Sequence, residues 1–158
     1  MSDFLDLYRQ KVADTNIDPS TLLSTDYFNT FNSVIMLLDM VPDTPELLEE
    51  ILQWDFYDYK AHFKAGALDF SALAIEAYDH VPPETRAAFE RLIDSMRLCV
   101  ETARPVLQRL QAEGAADSFA QEAFQTAEFL REGVAQGNAL VHGQTGSAEQ
   151  AAIDALFP

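Results

Sequence analysis

Three histidines, one cysteine and a surplus of acids are the groups from which this 158-residue chain could build a reactive site. His62 is the best placed, within Asp58-Tyr59-Lys60-Ala61-His62-Phe63-Lys64-Ala65-Gly66. On a helix, Asp58 stands one turn before the imidazole, where a carboxylate can orient the ring and favour its protonated form. Lys64, two positions on, falls on the far side of such a helix and cannot assist a group carried by the ring. A plainer role for His62 and Lys64 is to oppose the dipole at a helix end before Gly66. Glu76 and His80 share a helix face at spacing four, but two donors do not make a metal site, and no Glu-x-x-His pair of the di-iron type occurs. His142 lies at a helix end beside Gly143, so no metal and no cofactor is expected. Nucleophilic hydrolysis also lacks a signature, since there is neither a Gly-x-Ser-x-Gly elbow nor a phosphate-cradling glycine loop.

The balance of charge narrows the partners. Twenty-six acids against ten bases give a net charge of −16, which repels a phosphate backbone and an anionic bilayer alike. Nucleic acid and membrane are therefore not expected partners. The acids are uneven: Asp39, Asp43, Glu46, Glu49, Glu50, Asp55 and Asp58 fall within residues 39–58, which hold no lysine or arginine. Such a run suits a basic protein surface, although a solvated face is its plainer meaning. Cys99 falls on an apolar helix face and, being unpaired, reads as a small core residue of a protein in a reducing compartment. The N-terminus lacks a basic, apolar leader, and no uncharged stretch approaches the roughly 18 residues of a membrane span. A cytoplasmic protein is expected.

The elements that must position these groups are helices, because apolar residues recur at spacings of three and four and nowhere alternate. Residues 3–14 predict a first helix capped by Ser2, with Phe4, Leu5, Tyr8 and Val12 inward. Pro19 predicts the first turn of a second helix reaching Met40, striped by Phe28, Phe31, Val34, Ile35 and Leu38 and widened by Met36 and Leu37. Thr44-Pro45-Glu46 opens a third, and the aromatic run from Trp54 to Phe63 a short one ending at Gly66. Asp69 can cap a helix over 70–80. Residues 83–112 then carry Phe89, Leu92, Ile93, Met96, Cys99, Val100, Ala103, Leu107 and Leu110 at nearly unbroken helical spacing, with a kink expected at Pro105. After Gly114, Asp117 predicts the cap of a helix over 118–141, with Phe119, Phe124, Ala127, Leu130, Val134 and Val141 inward. So short a connection predicts antiparallel neighbours. Gly133 and Gly137 should weaken the last helix.

The chain ends on Glu149-Gln150-Ala151-Ala152-Ile153-Asp154-Ala155-Leu156-Phe157-Pro158, after the linker-like run 142–146. Ser147 and Gln150 form a capping box, which predicts a helix of about two turns. Ile153, Leu156 and Phe157 lie on one side of it, and so short a helix needs an apolar surface to be stable. This segment resembles the receiver-docking peptide of the flagellar switch protein FliM, which reads roughly Ser-Gln-x-x-Ile-Asp-Ala-Leu-Leu/Phe and binds the phosphorylated regulator CheY. Gln150, Ile153, Asp154, Ala155, Leu156 and Phe157 match, whereas Glu149 replaces the leading serine and the segment stands at the opposite terminus. The resemblance implies that Asp154 meets a basic residue of the receiver. A long helix pair followed by a joint and a docking helix is also similar to the chemotaxis phosphatase CheZ. In that family a glutamine positions the attacking water and an acid four residues away pairs with a lysine of the receiver, which would give those roles to Gln121 and Asp117. Their place at a helix start departs from the family, and Asp117 as a plain cap is the simpler reading. Ala61-His62 with a following lysine resembles histidine phosphotransfer domains, with Lys64 one residue too close.

Together these readings predict an all-α, single-domain bundle of six to eight helices over residues 1–141, a linker over 142–147 and a docking helix over 148–158. The expected function is bacterial signalling through a CheY-like receiver, bound by Gln150, Ile153, Asp154, Leu156 and Phe157. The alternatives are aspartyl-phosphate hydrolysis, histidine phosphotransfer and a purely structural helical subunit.

Overall fold

Among the described residues, the three-four spacing of apolar residues is realised as seven α-helices. They are α1 (Ser2–Lys11), α2 (Asn29–Met40), α3 (Leu48–Gln53), α4 (Tyr59–Ala65), α5 (Ser71–Tyr78), α6 (Pro83–Ala112) and α7 (Ala116–Val141). Single 3-10 turns at Thr25–Phe28 and Pro45–Leu47 lead into α2 and α3. The computed structural model describes residues 2–66 and 68–143, with side chains from Asp6 onward. Among them there is no strand, only an isolated bridge between Ile17 and Ser24. The chain is an all-α domain whose described residues fall into two packing units: parts of 1–28, 57–91 and 135–158, and residues 29–56 with 92–134.

The first unit closes on aromatic rings. Tyr27, Tyr59, Phe63 and Phe89 are each 1% exposed or less. Tyr59 packs on Phe63 with ring centroids 4.8 Å apart, stacks on Tyr78 at 4.8 Å and meets the edge of Phe89 at 5.6 Å. The phenols stay in this core because they find polar partners: the Tyr27 hydroxyl donates to the Tyr57 carbonyl at 2.7 Å, and the Ser24 amide donates to the Tyr59 hydroxyl at 2.9 Å. Removal from water raises the Tyr59 hydroxyl pKa well above the ordinary phenol value.

The second helix, expected to run from Pro19 to Met40, forms only over Asn29–Met40, and Pro19 lies outside it. Asp18 instead accepts from the Ser20 amide at 2.7 Å and from its hydroxyl, turning the chain, and Leu22 takes a left-handed φ of 66°. A left-handed leucine costs about 1–2 kcal/mol. The turn is held because it buries both Leu22 and Leu23 completely, and each buried leucine is worth about 1.5–3 kcal/mol. Thr21 ties the loop to the end of α7 by donating to the Val141 carbonyl at 2.5 Å.

The second unit is aliphatic. It buries Phe31, Val34 and Leu38 of α2, Leu48 and Ile51 of α3, Ile93, Met96, Val100, Ala103 and Leu107 of α6, and Phe119, Ala123, Ala127 and Leu130 of α7. Polar clamps fix the segment after α3: the Trp54 indole donates to the Thr30 carbonyl at 3.1 Å, and Arg104 donates to the Ile51 carbonyl at 3.1 Å and to that of Trp54. Arg131 of α7 pairs with Asp39 of α2. Helix α6 continues through Pro105, and Gly114, at a φ of 69°, ends the turn before α7.

Two inward assignments are corrected. Phe124 is 60% exposed and Met36 56%. The buried row of α7 runs through Phe119, Ala123, Ala127 and Leu130, so Phe124 stands about 100° off it, one residue out of phase. Helix α7 also begins before Asp117, which lies inside the first turn rather than capping it and there favours the positive end of the dipole. Asp69 likewise does not cap α5, whose N-cap is Phe70 without a side-chain bond.

Candidate functional site

His62 lies in the last turn of α4, a helix capped by Asp58, whose carboxylate accepts from the Ala61 amide at 2.8 Å. That bond aims Asp58 at the backbone. Asp26, from the 3-10 turn before α2, takes the ring instead: its Oδ2 lies 3.1 Å from His62 Nε2. The two side chains are 17% and 21% exposed, and the ring is packed edge-on against Tyr27 and Phe63. A partner 36 positions away cannot be read from helical spacing, although the acid directly after Ser24-Thr25 marks the start of a helical turn. With Nε2 engaged, the atom most open to group transfer on an exposed histidine is already held by a carboxylate.

The Glu76 and His80 pair does not converge on a metal site. Glu76 accepts from the Tyr8 hydroxyl at 2.6 Å, and His80 stacks on the Tyr8 ring at 4.4 Å. The bond to Glu76, with burial, pushes the Tyr8 hydroxyl pKa up. His142 Nδ1 is 3.1 Å from Asp18, at the loop described above. Burial also pushes the Cys99 thiol up, which keeps it protonated and poorly nucleophilic. Among the described residues no group of three or more histidine, cysteine or acidic side chains is arranged to hold a metal ion, and no helix is long and apolar enough to cross a membrane.

Helix α7 does present an uninterrupted solvent face. Asp117, Gln121, Phe124 and Glu128 follow one another at spacings of four, three and four, and all four are exposed. The ridge therefore offers an acid, an amide and a large apolar ring on consecutive turns. Gln150, Ile153, Asp154, Leu156 and Phe157 lie outside the described residues. Comparison of the chain with protein-family models, with curated proteins and with solved structures finds no match.

Proposed function

We propose that this protein is a helical interaction module of bacterial signalling which docks a CheY-like receiver through residues 148–158. The observation that carries this reading is the order of the tail itself, with Gln150, Ile153, Asp154, Leu156 and Phe157 matching the switch-protein peptide. Three apolar anchors on two helical turns support modest affinity, in the range of about 1 μM or weaker, near −8 kcal/mol. Asp154 adds orientation by meeting a basic residue of the receiver. A preference for the phosphorylated receiver follows from the resemblance.

Deleting residues 148–158 tests the reading. Titration calorimetry with a beryllofluoride-activated receiver should show binding to the intact chain and none to the truncated one, with the melting temperature of the two nearly equal. Unfolding of the truncated chain, or a failure of the intact chain to bind, would make the tail a structural helix.

The exposed α7 ridge favours a second role within the same reading. Asp117 and Gln121 stand side by side on consecutive turns with nothing of the described chain covering them. Gln121 can present its amide to a water attacking an aspartyl phosphate, while Asp117 pairs with a lysine of the receiver. Gln121→Ala should then slow receiver dephosphorylation without weakening receiver binding. Equal dephosphorylation rates with and without the protein would remove this role and leave the docking function untouched.

A further inference from the structure

Two acids of the acidic run, Glu46 and Glu49, line an open groove. In the second unit, the ridge of α3 and the last turn of α6 leave between them a groove of about 620 Å³. Leu48, 4% exposed, and the half-buried Leu52 form its apolar floor at spacing four. Glu46 and Glu49 rim it on one side and Gln108 and Arg109 on the other, and Gln111 staples the two walls by donating to the Pro45 carbonyl at 3.1 Å. Neither Glu46 nor Arg109 is joined to another described side chain. Of the run, Asp39, Asp43, Glu46, Glu49, Glu50 and Asp55 are all exposed, Glu46 and Glu49 line the groove together with Arg109, and among the described residues only Asp39 of the six meets a cation.

We infer that this groove is a docking site for a basic amphipathic helix of a partner protein. Two helix ridges with a furrow between them accept the ridge of a third helix, whose apolar side chains at spacing three or four would reach Leu48 and Leu52. The volume holds the anchor side chains of one such ridge and leaves the body of the helix outside. Lysines or arginines flanking the anchors meet Glu46, Glu49 and the neighbouring acids, which also draw the partner in from a distance. Arg109 sets the direction of docking, because it repels the basic flank and can donate to the free carbonyls at the C-terminal end of the incoming helix. Its lining includes no residue of 148–158, and it does not depend on the receiver assignment.

A short fluorescent Leu/Lys amphipathic peptide, titrated into the full chain and followed by anisotropy, tests the inference. Glu46→Lys with Glu49→Lys changes two exposed residues and should weaken binding about tenfold. Asp94→Lys with Glu132→Lys makes the same change in net charge at exposed sites outside the groove and should stay within about twofold of the parent. Amide shifts on peptide addition should centre on Leu52, Gln108 and Ala112. Equal weakening by both double variants would mean that the net charge of −16 alone gathers the peptide, and would overturn the site. Self-association of the parent that disappears in the Glu46/Glu49 variant would also overturn it, by giving the groove to a second copy of the chain. A peptide that does not bind, or shifts confined to other helices, would do the same.

Discussion

Two glycines in α7 provide a test of the packing that runs against helix propensity. Replacing a glycine by alanine inside a helix ordinarily stabilises by about 0.8–1 kcal/mol. At Gly137, however, an added Cβ would stand 2.1 Å from Phe28 Cζ and 2.6 Å from its Cε1. Carbon atoms pack at about 3.5–4.0 Å, so the ring has to retreat by more than an ångström. It has little room: Phe28 is 2% exposed, with its ring 5.4 Å from that of Tyr27 and 5.9 Å from that of Phe89. Forcing an extra methyl into such a core costs about 1–3 kcal/mol, and the rigid ring places this site at the upper end. After subtracting the propensity gain, Gly137→Ala should destabilise by about 1–2 kcal/mol, a fall in melting temperature of about 2–8 °C at this chain length. Gly133 is the control. Its added Cβ would meet Met96 Sδ at 2.7 Å and Cγ at 2.8 Å, on a flexible side chain that can change rotamer. Gly133→Ala should therefore lie within about 0.5 kcal/mol of the parent or above it. Urea denaturation with fitted m-values measures both. A Gly137→Ala protein as stable as the parent would refute the close approach. So would a Phe28→Leu background in which the alanine is no better tolerated, since a smaller side chain should relieve the clash.

Further outcomes follow from the same structure. Phe89→Ala should cost about 3–5 kcal/mol because the ring is fully buried, whereas Phe124→Ser, at 60% exposure, should leave the urea midpoint almost unchanged. Burial works to raise the Asp18 carboxyl pKa, but bonds from Ser20 and His142 outweigh it and hold the group below the usual carboxylate range. The stability it contributes is therefore present above the unfolded carboxylate pKa and lost as pH falls through the folded one; Asp18→Asn should flatten that part of the acid-unfolding curve. His62 should carry no acid-labile phosphate after incubation with an active sensor kinase, since Asp26 occupies its Nε2; label that vanishes in His62→Gln would reverse this. If α6 and α7 pack antiparallel as their spacing leads one to expect, amide exchange should be slowest where Met96 meets Gly133, and fast exchange along both helices would disprove that packing.

The sequence by itself determined the helices wherever apolar periodicity was long. Pro83–Ala112 is found at its expected limits, because thirty residues of three-four spacing leave one amphipathic solution, and Gly114 marks the turn that follows. Tertiary structure decided the rest where short-range rules compete. Asp18-Pro19 satisfies both a helix start and an Asx turn, and only the burial of Leu22 and Leu23 selects the turn. Gly133 and Gly137 look like weak points in a helix until Met96 and Phe28 are seen to need the space of a missing Cβ. Phe124 has the composition of a core residue, and its phase relative to Ala123 and Ala127 places it in solvent. The partner of His62 was beyond sequence for the same reason: Asp58, one turn away, is spent on a backbone amide, and Asp26 arrives from another element. Spacing along one helix limits which side chains can share a face, but which groups meet across elements is set by how the buried rings and aliphatic side chains fill the core.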